Sequence, residues 1–151
     1  MKIVQTIRMP LALFGMTLAL LAASSVSAAG PDLQGCWQGE SVVIYLKDGN
    51  SRTQAGGCSF KVTSDRISMR CPLPAGDSLI DYTYRITKPG TYTATMVSHS
   101  SRPDLVGGSR DYEYRLEGER LLISTYPQST IPALSTPAAK IDSVSVRMAC
   151  K

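Results

Sequence analysis

The chain has 151 residues, 43% of them hydrophobic, with 16 lysines and arginines against 12 acids and a single histidine. That length supports one hydrophobic core rather than two once a leader is set aside. Without Lys2 and Arg8 the balance falls to 14 basic against 12 acidic residues, too near neutrality for a nucleic-acid surface or a polybasic membrane patch.

Behind Lys2 and Arg8 the chain runs LALFGMTLALLAA from Leu11 to Ala23, then turns small and weakly polar at SSVSAAG. Charged, apolar and small-residue regions in that order predict a secretory signal peptide over 1–29. The apolar run is shorter than the about 20 residues a membrane span needs. Cleavage after Ala28 or Ala29 fits the small-residue rule and leaves a single domain over 30–151. The expected location is periplasmic or secreted, and the expected protein is soluble rather than membrane-spanning.

The stretch LQGCWQGE, residues 33–40, begins with four letters that resemble a lipoprotein attachment box. Such a box abuts the apolar region, whereas Ser24, Ser25, Pro31, Asp32 and Gln34 intervene here before Cys36. Lipid anchoring at Cys36 is therefore not expected. Cys36, Cys58, Cys71 and Cys150 all follow the leader, where an even count in an oxidising compartment reads as two disulfides with three possible connectivities. No C-x2-C spacing accompanies them and His99 stands alone, which gives no metal site.

Strand register selects among the pairings. In CSFKVTSDRISMRC a two-residue turn at Ser64-Asp65 puts Val62 opposite Ile67, Phe60 opposite Met69, and Cys58 opposite Cys71 with Cα atoms about 4.5 Å apart. Cys58–Cys71 follows, and Cys36–Cys150 is the remainder. The second bridge joins the first strand to the last, as a closed meander allows.

After GCWQGESVVIYL and that hairpin come SLIDYTYRIT, a Pro89-Gly90 turn, TYTATMV, a loop over 98–110 and RDYEYRL. A Glu117-Gly118 turn, LLISTY, a Pro-rich loop over 127–140 and IDSVSVRM complete the chain. No useful length carries the apolar spacing of a helix. The prediction is all-β: a small eight-stranded antiparallel up-and-down barrel stapled by two disulfides. DYTYR at 81–85 and DYEYR at 111–115 each place two tyrosines on one face, an echo too short to establish duplication.

Gly35-Cys36-Trp37 opens the first meander strand and Arg147 lies in the last, and in this the chain resembles the lipocalin and calycin barrels. The resemblance implies that Trp37 closes one end of the barrel with Arg147 packed over it. If Cys36 opposes Cys150, Gly39 opposes Arg147 and Trp37 is its diagonal neighbour, near enough for a cation–π contact of about 0.5 to 2 kcal/mol. Alternation then turns Ser143 and Ser145 inward and Val144, Val146 and Met148 outward. A β-bulge near Gly39, a partly polar lumen or a different register would reconcile the two strands.

Catalysis needs a nucleophile with a base, paired carboxylates or a metal. Ser98, His99, Ser100, Ser101 and Asp104 crowd one loop, as loop composition gives anyway, and no recognised catalytic or phosphate-cradling motif occurs. A non-catalytic protein without cofactors is expected. An eight-stranded barrel either fills its interior or holds one small ligand. Tyr82, Tyr84, Tyr112 and Tyr114, with Trp37 and Arg147, form the candidate site for a small apolar or amphipathic ligand, helped by Ile80, Ile86, Met96 and Ile123. The alternative is an envelope inhibitor or adaptor that contacts another protein through loops 98–110 and 127–140, with Ile131 and Leu134 as apolar contacts.

Overall fold

The structure, a computed structural model, describes residues 33–127 and 138–151. The expected signal peptide over 1–29 lies outside them. The described strands are β1 (Gly35–Leu46), β2 (Ser51–Ala55), β3 (Ser59–Val62), β4 (Arg66–Cys71), β5 (Ser78–Lys88), β6 (Thr91–His99), β7 (Ser109–Glu117), β8 (Arg120–Thr125) and β9 (Ala138–Met148). A 3-10 turn at Pro103–Leu105 interrupts the β6–β7 connection.

Every pairing is antiparallel, and β9 returns to β1, so the sheet closes. On its other flank β1 pairs with β3 over Gly35–Gln38 and with β2 over Ser41–Tyr45. These two short strands share one position round the barrel, which makes eight positions from nine segments. The expected eight-stranded barrel is the fold. The sequence does not mark β2, because SRTQA carries no apolar alternation and all five of its residues are exposed.

Both disulfides form as expected. Cys58–Cys71 bridges β3 and β4 in the predicted register, Val62 opposite Ile67 and Phe60 opposite Met69, with Cα atoms 4.2 Å apart. Cys36–Cys150 closes the barrel seam at a Cα separation of 5.2 Å, but its register differs from expectation. Cys36 opposes Met148 and Trp37 opposes Arg147 directly. Cys150 lies beyond the end of β9 and reaches back to Cys36, so the bridge is diagonal and the Trp–Arg pair is the one in register.

The conflict between β1 and β9 resolves by a bulge together with a partly polar lumen. The β1–β9 register shifts between Gly39 and Ser41, the mark of a β-bulge at Glu40. Ser145 is buried and Ser143 lines the interior, so Val144 and Val146 do face outward. Beyond the bulge Val42 and Ile44 oppose Ser143 and Ile141. The extra residue thus keeps the apolar side of both halves of β1 turned inward.

Turn chemistry sets the hairpin ends. Pro89 and Gly90 occupy the centre of the β5–β6 turn, with Gly90 at φ 75° as a type II turn requires. A register slip between Ile86 and Lys88 absorbs the mismatch in twist. Glu117 pairs with Arg120, so the β7–β8 turn centres on Gly118 and Glu119, one residue later than the sequence suggests. The β6–β7 connection is shorter than expected, since Ser98 and His99 belong to β6.

Candidate ligand site in the barrel

One end of the barrel is shut. Trp37 is wholly buried, and its indole N–H donates to the Leu33 carbonyl at 3.0 Å. The Arg147 guanidinium lies 4.2 Å from the Trp37 ring, and its Nη1 donates to the Gln34 carbonyl at 2.9 Å. Glu119 meets the same guanidinium at 3.4 Å. Leu33, itself buried, is therefore pinned across the end of the lumen by two hydrogen bonds to its own backbone neighbourhood.

Above this plug runs a belt of tyrosines from β5, β6 and β7. Cross-strand partners share a face, so Tyr84 opposite Ala94, Tyr82 opposite Met96 and Tyr92 opposite Tyr112 all point inward. Tyr92 stacks on Tyr112 at 4.9 Å between centroids and meets Tyr84 edge-on at 5.8 Å. Sequence reasoning missed Tyr92, although its alternation with Ala94 and Met96 in TYTATMV carried the signal. Burial pushes the Tyr92 hydroxyl well above the usual tyrosine range, and the neighbouring tyrosines push the same way. Burial likewise raises Tyr82, Tyr84 and Tyr112.

Between belt and plug lies a cavity of about 150 Å³. Tyr82, Tyr92 and Tyr112 line it together with Phe60, Met69, Ile67, Val62, Leu33 and Ile123. It exists where two small residues, Ala94 and Ser143, face the lumen. Tyr84 and Tyr114 point inward but do not line it; Tyr84 donates its hydroxyl to the Thr63 carbonyl at 2.7 Å. Trp37 and Arg147 belong to the plug beneath Leu33. The six candidate residues thus divide into a lining pair, Tyr82 and Tyr112, and four that shape or close the end.

The residues of the expected β6–β7 loop are engaged locally. Ser98 donates to Asp81 at 2.8 Å, and Ser100 accepts the Leu79 N–H at 2.9 Å. His99 Nδ1 accepts the N–H groups of Ser101 and Arg102 at 3.3 and 3.1 Å. Asp104 pairs with Arg102 at 2.7 Å. Ile131 and Leu134, the expected partner contacts, lie outside the described residues.

No protein-family model matches the chain, and no curated protein matches it. Among solved structures it is similar to a lipocalin-like protein from Bacteroides uniformis ATCC 8492, at 15% identity over 78% of this chain and 99% of that one, with a TM-score of 0.51. An uncharacterized protein from Bacteroides eggerthii DSM 20697 matches at 11% identity over 76% of this chain and 98% of that one, with a TM-score of 0.49. The first likeness is one of fold. A meander closed by β1 and β9, plugged by Trp37 under Arg147, is a lipocalin-like barrel.

Proposed function

We propose that this chain is an exported, soluble, non-catalytic protein that binds one small apolar or amphipathic molecule inside its barrel. The observation that carries the reading is the cavity of about 150 Å³, walled by apolar side chains and three tyrosines. Its volume sets the size of the guest. Drug-sized ligands occupy roughly 300–1,000 Å³, whereas a 150 Å³ apolar cavity takes a benzene-sized molecule. A single ring or a short branched chain fits; a long lipid does not.

Two disulfides support an oxidising compartment. An apolar lumen beneath an outer face carrying Lys61, Asp81, Asp111 and Glu113 is the reverse of a transmembrane barrel and supports a soluble one. The commitment of Ser98, His99 and Ser100 to backbone and strand contacts supports a non-catalytic role.

Native mass spectrometry of the protein recovered from the periplasm tests the reading. An added mass of about one ring-sized molecule, lost on denaturation and missing from Ala94→Leu, is the expected result. A bare mass, together with no saturable uptake of toluene by the purified protein, would overturn it.

A further inference from the structure

Arg110 opposes Ala94 across β6 and β7, and Ala94 faces the cavity, so Arg110 sits on the inner wall. It lies one step from Tyr112 toward the end of the barrel opposite Trp37. Its charge acts on both Tyr112 and Tyr82, drawing their hydroxyls down against the rise that burial causes. Every other described arginine is either exposed or, like Arg147, paired with an acid. Arg110 is only part-exposed, and none of the ion pairs among the described residues includes it.

Three acids of the strands face away from it. Asp81 accepts from Ser68 and Ser98, Asp111 from Thr93, and Asp142 from Ser124, all on the outward face. A second arginine lies on the cross-strand row of Tyr112 but is exposed. Tyr112, Thr125, Ile141, Ile44 and Arg52 are linked by successive cross-strand pairs, so that row ends on the exposed Arg52 of β2, at the end of the barrel opposite Trp37. The inner wall therefore carries a cation, Arg110, beside an apolar chamber.

We infer that the lumen takes a single-ring aromatic carboxylate, its ring in the cavity and its carboxylate on the Arg110 guanidinium and the hydroxyls of Tyr82 and Tyr112. This rests on the ligand-binding reading above and narrows it to an anion. The planar guanidinium fork matches a carboxylate with two parallel N–H···O bonds. Both phenols are protonated at neutral pH, as tyrosine ordinarily is, and remain donors. The cavity volume restricts the apolar part to one ring.

Isothermal titration of the disulfide-intact protein with benzoate and with toluene tests the assignment. Arg110→Gln is expected to weaken benzoate by about tenfold or more, the size of a lost charge-assisted hydrogen bond, and to change toluene less than about twofold. Arg110→Lys, which keeps the charge and loses the fork, should fall between wild type and Arg110→Gln. Tyr112→Phe, which leaves Arg110 in place, should weaken benzoate severalfold and spare toluene. Benzoate binding that is unchanged in Arg110→Gln, with toluene still bound, overturns the anion assignment and leaves the lumen reading standing. If neither probe binds wild type, or both bind Ala94→Leu undiminished, the lumen reading itself falls, and this inference with it.

Discussion

At Gly35 the chain has no room for a side chain. Its φ of 130° is strained for any other residue, and a Cβ there would lie 2.6 Å from the Arg147 guanidinium. The glycine of the G-x-W stretch thus makes space for the arginine that covers the tryptophan. Removing Arg147 loses the cation–π contact, worth about 0.5 to 2 kcal/mol, and a charged hydrogen bond to Gln34. Arg147→Ala should therefore destabilise the protein by about 2 kcal/mol in urea unfolding, with the m-value unchanged. Glu119 is mostly exposed, with 78% of its side chain accessible, so Glu119→Gln should cost under about 1 kcal/mol. Equal losses from the two variants would assign the arginine's contribution to the surface ion pair rather than to the Trp37 plug.

At the scale of elements, β1 has to change partners halfway along. It hands over from β3 to β2 at Gly39, where the Gly39 N–H donates to Cys58 at 3.0 Å and the Gly56 N–H donates to Glu40 at 2.6 Å. A Cβ on Gly39 would come within 2.8 Å of the Gly57 backbone, so neither side can yield by a rotamer change. Gly39→Ala should cost about 1–3 kcal/mol and lower the thermal midpoint without opening either disulfide. The two bridges differ in the loop they close: Cys36–Cys150 spans 114 residues and Cys58–Cys71 spans 13. Chain entropy gives about 4.7 kcal/mol for a loop near 100 residues and about 3 for one near 15. Replacing the Cys36–Cys150 pair by serines should accordingly lower the urea midpoint more than replacing Cys58 and Cys71. The inner hairpin was legible in the sequence because the register that pairs Val62 with Ile67 and Phe60 with Met69 also sets the two cysteines opposite each other. The seam was not, because its register depends on where Cys150 sits relative to the end of β9, and no local pattern fixes that. The bulge was foreshadowed only as a conflict of facing between Trp37 and Val144, and β2, being wholly exposed, left no periodic trace.

For the whole molecule the deciding quantity is how dry the lumen is. Inward tyrosines were readable from alternation, but which of them border empty space depends on Ala94 and Ser143, whose small side chains leave the volume unfilled. Alternation shows facing and says nothing of depth, so Tyr84 and Tyr114 looked equivalent to Tyr82 and Tyr112. The ionisation of the belt reports the difference. Four of the seven tyrosines, Tyr82, Tyr84, Tyr92 and Tyr112, have hydroxyls held above the usual value, chiefly by burial. Below about pH 10, the ordinary tyrosine value, folded and unfolded chains are both protonated there and the groups leave stability unchanged. Above it the unfolded chain gives up protons that the folded one retains, so stability falls as pH rises toward the raised folded values. Stability in urea should be flat to about pH 9 and then decline, each buried tyrosine removing about 1.4 kcal/mol per unit by which its folded value is raised. Tyrosinate absorbance should rise in two stages, with the four belt residues appearing only as the β-sheet circular dichroism is lost. A single stage near pH 10 with the sheet intact would mean that water reaches the belt freely, and an apolar guest would then have no dry chamber to enter.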